Sequence, residues 1–440
     1  ISTKQVINNL YSKTIEQRKN SGYNLDSLEE YANTLEKELS RMSSTFNDFV
    51  MIPDFKWEDV RQNLKEDEAV VDLVKYKLYD KRWTDTTRYG VFITRYDSDE
   101  EPVYFEFKDG NRIDTLLIPK LSEQNRNRFA DITPEAEDEN VVVLNSNEEL
   151  DYYTELFAPI AQHLNGIKRI YFSLDGEFYK VNFNTLKNPK TGKYLIEDYE
   201  IVYVSSANEI ARGKRETIPH KSAVLTGFPN YDLSLDSLTA TMKIEQGTEK
   251  SHDVYVNTSK IQKYTLDLLP GTKEEVTITS ELLKKNGWEV DSWLFNEATE
   301  SKIKGLNAPG ILSISTHGFF SPSPKADYTE NYFVGSETKK AMENPLLRSG
   351  LFLTGSETFL NSDETQKDNF AENGILTAYE ASQLNLLGTD IVILSACETG
   401  LGEVNNGEGV FGLQRGFFGA GAKSVLMSLW KVDDTATRDL

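Results

Sequence analysis

His317 and Cys397 are the side chains best placed for nucleophilic chemistry. His317 follows the apolar run Ile311-Leu312-Ser313-Ile314-Ser315-Thr316 and precedes Gly318. Cys397 follows Ile391-Val392-Ile393-Leu394-Ser395-Ala396 and precedes Glu398-Thr399-Gly400. Each therefore stands at the C-terminal end of an expected strand, where open α/β sheets build their sites. A thiol is a weak nucleophile until a base or a cation favours its thiolate. An imidazole can orient or deprotonate it, then protonate a leaving amine. Glycine near each residue lets a substrate backbone approach and leaves N–H groups for an oxyanion. The pattern suits a cysteine–histidine hydrolase. At this level a second reading stands beside it, with Cys397 a small buried hydrophobe and His317 a satisfied strand-end residue. The other histidines, His163, His220 and His252, sit in helical or loop contexts without polar company and read as ordinary residues.

These two residues need a sheet to position them. From about residue 145 the chain alternates strand and helix. Ile167–Leu174 reads as an apolar strand ending at Asp175-Gly176, and Ala223–Thr226 as another ending at Gly227-Phe228-Pro229. Lys273–Gly287 reads as a helix and Trp288–Phe295 as the strand after it. Ile311–Thr316, Ile391–Ala396 and Val425–Trp430 are further short apolar runs. Such alternation predicts a buried, mostly parallel sheet. Before it, Ala69–Tyr79, Arg88–Thr94 and Val103–Phe107 are rich in β-branched and aromatic residues and read as strands. Residues 1–50 read as helix: Leu28, Tyr31, Ala32, Leu35, Leu39 and Met42 make one apolar stripe, and Ser27 with Glu30 has capping-box spacing. Residues 321–374 are polar and read as irregular, a long insert of the kind that is usually functional. The acidic stretches Asp97–Glu101 and Glu135–Glu139 read as solvated loops.

Composition narrows the function classes. The chain has 440 residues, which at roughly 150 per domain suggests about three structural units. Its net charge of −22 argues against a binder of nucleic acid or anionic membrane, since both must attract phosphate. No apolar run is long enough to span a bilayer. A single cysteine excludes an internal disulfide framework and a multi-cysteine metal site, and points to a reducing compartment. The start Ile1-Ser2-Thr3-Lys4 has neither a methionine nor a signal peptide, so a fragment or trimmed piece of a longer cytoplasmic protein is expected.

A nucleotide site fails on context. Gly407-x-Gly409-x-x-Gly412 matches the dinucleotide fingerprint only formally. It does not directly follow a strand, and Glu408 puts a carboxylate where a pyrophosphate would sit. Gly416 to Gly421 has P-loop spacing, but Ala422 intervenes before Lys423. These glycines read as serving the loop beside Cys397 and tight packing.

The wider motif is more specific. Leu394-Ser395-Ala396-Cys397-Glu398-Thr399-Gly400 is followed by Gly407-Glu408-Gly409-Val410-Phe411-Gly412-Leu413. Gly419-Ala420-Gly421-Ala422 and Ser428-Leu429-Trp430-Lys431-Val432-Asp433-Asp434 come after. Together they closely resemble the CHAT family, caspase-like cysteine peptidases related to separase and often attached to tetratricopeptide repeats. Ser315-Thr316-His317-Gly318 is similar to the family's histidine motif. Earlier segments fit too: Ser173-Leu174-Asp175-Gly176-Glu177-Phe178 with Asn182-Phe183, Gly227-Phe228-Pro229, Leu269-Pro270-Gly271-Thr272 and Ala298-Thr299-Glu300. The resemblance covers about residues 55–440 and is strongest over 265–434.

The resemblance implies a caspase-like α/β/α sandwich preceded by a pseudo-caspase-like lobe. The expected divisions are a helical segment over 1–52, the pseudo-caspase-like lobe over 53–218 and the catalytic lobe over 219–440. It implies a His317/Cys397 dyad, with the backbone N–H groups of Gly318 and Cys397 as oxyanion hole. The dyad residues lie farther apart in sequence than the roughly 50 residues typical of caspases. The insert 321–374 accounts for the excess and is expected to control access. In separase an aspartate after a similar Leu-Trp strand lines the pocket for a basic residue. Asp434 matches that position best, with Asp433 beside it, so cleavage after Arg or Lys is expected. Either aspartate could instead cap a following helix.

The expected function is that of a cysteine endopeptidase in a bacterial defence or signalling system. It would take a protein substrate, be gated by a regulatory protein partner, and need no metal or organic cofactor. The alternative is a catalytically silent, protease-like scaffold or binding module.

Overall fold

Two β-rich runs, EAVVDLVKYKLY and WTDTTRYGVFITR, pair as a long antiparallel hairpin in the computed structural model, β1 (Glu68–Tyr79) with β2 (Trp83–Arg95). The structure describes residues 27, 31, 55–98, 101–117, 151–213, 221–234, 264–320, 345–362, 372–396, 403–405 and 409–428. β2 starts five residues before the expected Arg88 because β1 runs on to Tyr79. Trp83 pairs with Tyr79 across the hairpin, ring edge to ring face at 5.2 Å. β3 (Val103–Phe107) joins β2 antiparallel. β4 (Arg169–Ser173) joins β1 in parallel, and β5 (Glu200–Val204) joins β4. The order is β3-β2-β1-β4-β5. Alternation along β1 and β2 sends Ala69, Val71, Leu73, Tyr89, Val91 and Ile93 into one core, where Phe157, Phe172, Phe178 and Phe183 meet them. Each fully buried Val, Leu, Ile or Phe among them contributes about 1.5–3 kcal/mol.

The second sheet is wholly parallel: β6 (Ser222–Pro229), β7 (Glu289–Phe295), β8 (Ile311–Ser315), β12 (Ile391–Ser395) and β15 (Val425–Met427), in the order β15-β12-β8-β6-β7. Its central strands are the apolar runs of the sequence, as burial on both faces requires. Leu312, Ile314, Val392 and Leu394 pack with Leu351, Leu376 and Phe417 in one cluster. The helix Pro270–Lys285 links β6 to β7. It starts three residues before the expected Lys273, because proline lacks an N–H and its fixed φ suits the first helical position. The helix lies close on the sheet at Gly227. A Cβ there would stand 3.0 Å from Val276 Cγ2 and 3.1 Å from the Thr272 carbonyl.

From β6 the chain goes outward to β7, then returns on the other side of β6 as β8. The ends of β6 and β8 therefore flank a topological switch point, where open α/β sheets carry ligand crevices.

The expectation of an irregular insert does not hold for 345–362. That part carries β10 (Ser349–Phe352), buried throughout, and the helix Ser356–Asn361. β10 is the middle strand of a small antiparallel sheet between β9 (Gly318–Phe320) and β11 (Ile375–Thr377). Residues 321–344 and 363–371 lie outside the described residues. So does the expected N-terminal helix apart from Ser27 and Tyr31, both helical and exposed. β13 (Glu403–Asn405) and β14 (Gly409–Phe411) form a hairpin. β13 lies against the turn Gly176–Lys180 that follows β4.

Candidate active site

β8 and β12 run side by side in register, so Ser315 faces Ser395 at their C-terminal ends. One more ladder bond follows, from Thr316 N–H to the Ser395 carbonyl at 3.1 Å. His317 comes next on one strand. On the other comes Ala396, buried, its carbonyl accepting from Ser428 Oγ at 2.5 Å. Cys397, Asp433 and Asp434 lie outside the described residues.

His317 is half-buried and held from several sides. Its carbonyl accepts from Phe352 N–H of β10 at 2.9 Å. Its ring Nε2 stands 2.9 Å from the Asp267 carbonyl. A carbonyl only accepts, so Nε2 carries the hydrogen and Nδ1 is the acceptor of the neutral ring. That is the arrangement a general base needs. The ring also lies 5.4 Å from that of Tyr231, which follows β6.

Tyr231 anchors the loop through its hydroxyl. Thr316 Oγ1 donates to the Phe352 carbonyl at 2.5 Å, so its lone pairs face Tyr231 Oη at 2.8 Å. The tyrosine then donates to Thr316 and accepts a long bond, 3.4 Å, from His317 N–H. Tyr231 and Thr316 are both about 1% exposed, which strengthens such bonds and penalises their loss.

Beneath the strand ends sits Glu275, half-buried on the helix Pro270–Lys285. Ser315 Oγ donates to its Oε1 at 2.9 Å and Ser395 Oγ to its Oε2 at 2.8 Å. Gly318 opens β9 opposite Leu351. Hydrogen-bonded and non-bonded pairs alternate in an antiparallel ladder, and the His317/Phe352 pair is bonded. The Gly318 N–H therefore points away from β10.

Of the residues singled out in the sequence, His317 and Gly318 fall at this strand end, while Tyr231, Glu275 and the Asp267 carbonyl, which meet there too, were not among them. The strand-end rule that flagged His317 would have flagged Tyr231, two residues past Pro229. For Glu275 no local signal exists, since its partners lie 40 and 120 residues away.

A second charged cluster shares none of these residues. Lys304 Nζ lies 2.5 Å from Glu300, 2.9 Å from Glu372 and 2.9 Å from Glu380. Burial pushes the Glu300 carboxyl well above the usual carboxylate range; Lys304 opposes this, and Glu372 and Glu380 add to it. Burial disfavours the Lys304 ammonium, but the three glutamates outweigh it and hold its pKa above the ordinary value.

Gly416 lies inside the helix Leu413–Gly419, so it opens no phosphate loop. Among the described residues no group of three or more His, Cys, Asp or Glu could hold a metal ion. Among them, too, no helix is long and apolar enough to cross a membrane.

A parallel sheet flanked by helices, with His317 at the end of one central strand, defines a mixed α/β protein of caspase-like architecture. The chain belongs to the CHAT-domain family: the model of that domain, a caspase-like, protease-related one, matches residues 151–440. Relatives include Tetratricopeptide repeat protein 28 of Mus musculus, 23% identical over 288 residues, and that of Homo sapiens, 21% over 286. Each alignment takes 64% of this chain and 10% of the relative, so the chain spans about a tenth of those proteins.

Proposed function

We propose that this protein is a cysteine endopeptidase with Cys397 as nucleophile and His317 as acid/base. The observation that carries the reading is the in-register pairing of Ser315 with Ser395. His317 and Cys397 are each two residues further along the sequence than these serines. In this reading His317 Nδ1 takes the thiol proton and the thiolate attacks the scissile carbonyl. The N–H groups of Gly318 and Cys397 receive the oxyanion, and the imidazolium then protonates the leaving amine. Water then hydrolyses the thioester: Nδ1 takes a proton from the attacking water and returns it to the departing Cys397 thiolate, while Nε2–H stays on the Asp267 carbonyl, which fixes the tautomer.

Asp434, with Asp433 beside it, is assigned to a pocket that selects Arg or Lys before the scissile bond. The family resemblance supports that assignment, together with a bacterial cytoplasmic setting in defence or signalling. The relatives' name supports gating of access by a partner protein, because stacked helical repeats make extended binding surfaces. The division into lobes at 53–218 and 219–440 belongs to the same proposal.

The test is cleavage of a peptide library by wild type, Cys397→Ala and His317→Ala. Cutting by wild type alone, clustered after Arg or Lys, is the expected result. Cutting after another residue keeps the enzyme and removes the pocket. Properly folded wild type that cuts nothing, with or without candidate partner proteins, would favour a partner-gated or scaffold role.

A further inference from the structure

We propose that Glu275 is a positioning residue of this site: its one carboxylate ties the ends of β8 and β12 together and so sets the spacing of His317 and Cys397. The inference rests on reading those two residues as a dyad. Ser315 and Ser395 face each other in register, which puts their side chains on the same face of the sheet. Each donates to a different oxygen of Glu275, at 2.9 and 2.8 Å. Hydrogen bonds to an ionised acceptor are the strong ones. They also sit at the last paired residues of β8 and β12. Among the described residues the ladder continues one bond further, from Thr316 N–H to the Ser395 carbonyl. The carboxylate braces the two strands at this same level, through Ser315 and Ser395.

A purely structural role would be filled otherwise. The body of the sheet is held by its ladder and by Leu312, Ile314, Val392 and Leu394. Two small apolar residues at 315 and 395 would pack there without drawing a carboxylate out of water, which is costly. The strand ends therefore carry a charged clamp where packing alone would suffice for folding. His317 has its own holds on Tyr231, Phe352 and Asp267, so the clamp acts on the relation between the two strand ends.

The test uses the full chain, whose single cysteine makes alkylation by iodoacetamide unambiguous. The rate is followed against pH for wild type, His317→Ala, Glu275→Ala and Glu275→Gln, with a melting curve for each. Wild type should react with a thiolate profile that depends on His317. Glu275→Ala should react at least tenfold more slowly at neutral pH, its profile moved toward that of an unassisted thiol near 8.5. Glu275→Gln can still bridge both serines and should recover most of the rate. A folded Glu275→Ala with the wild-type profile would overturn the clamp while leaving the dyad intact. Wild type that reacts like an ordinary thiol, unchanged by His317→Ala, would overturn the dyad and the clamp with it. If Glu275→Ala does not fold, Ser395→Ala decides: a slowed reaction is expected, and an unchanged one overturns the proposal.

Discussion

The hydroxyl of Tyr231 stands 2.8 Å from Oγ1 of Thr316, 85 residues away in sequence, and couples the end of β6 to the residue before His317. Both side chains are buried, so the pair is a fixed joint between two strand ends. Tyr231→Phe leaves Thr316 Oγ1 and His317 N–H without this partner. The expected loss of unfolding free energy is about 1–3 kcal/mol, read from urea denaturation. Peptide cleavage should slow in kcat more than in KM. Unchanged stability would mean that the joint bears no strain of holding the loop.

Gly416 carries a steric prediction. A Cβ there would lie 2.4 Å from the Ala378 carbonyl, so the helices Leu413–Gly419 and Ala378–Ala381 touch backbone to backbone. Alanine gains up to about 1 kcal/mol of helix propensity over glycine. The clash should outweigh it, since overpacking costs roughly 1–3 kcal/mol. Gly416→Ala should therefore lower the urea midpoint; a raised midpoint would refute the close contact.

The Lys304 cluster predicts a pH dependence. Unfolded, Glu300 titrates near 4.5; folded, burial first and then Glu372 and Glu380 lift it well above. Folding thus takes up a proton between those two values. This contribution to stability is fully present below 4.5 and is lost as pH rises toward the folded value. Glu300→Gln removes the titration yet can still accept from Gly374 N–H. Its stability should fall less steeply than that of wild type between acid and neutral pH. Equal slopes in denaturation at a series of pH values would sink the assignment.

Asp434→Ala tests the proposed pocket. Removing one member of a desolvated charge pair costs about 2 kcal/mol or more. Cleavage after Arg or Lys should fall roughly thirtyfold or more in kcat/KM, with cleavage after uncharged residues spared. Equal loss for every residue before the bond would give Asp434 a structural role.

Much of this was legible in the residues. β8 and β12 announced themselves as the short apolar runs Ile311–Thr316 and Ile391–Ala396, each one residue longer than the strand it became, because parallel strands are buried on both faces. The strand-end rule then picked out His317 without any three-dimensional information. β5 escaped because it is only partly buried and carries exposed Glu200 and Tyr203. β10 escaped for the opposite reason: four buried residues, Ser349 to Phe352, sit in a polar stretch too long to suggest a strand. Tyr231 and Glu275 escaped because their roles exist only as contacts across 40 to 120 residues of chain. The strand-end rule could have pointed to Tyr231 but not to its partners, and nothing local in a helical glutamate reports partners at all.

The contact between β13 and the turn Gly176–Lys180 bears on how the molecule can be cut. β13 begins six residues after Cys397, and the turn belongs to the first sheet. Tyr179 of that turn lies within electrostatic reach of Arg415 on the helix Leu413–Gly419. A truncated protein starting at 219 would keep every strand of the parallel sheet. It would nevertheless lose the wall on which that hairpin rests. The first sheet is thus a buttress for the hairpin that follows β12, and shortening the chain from its N-terminal side removes masonry from beside that hairpin.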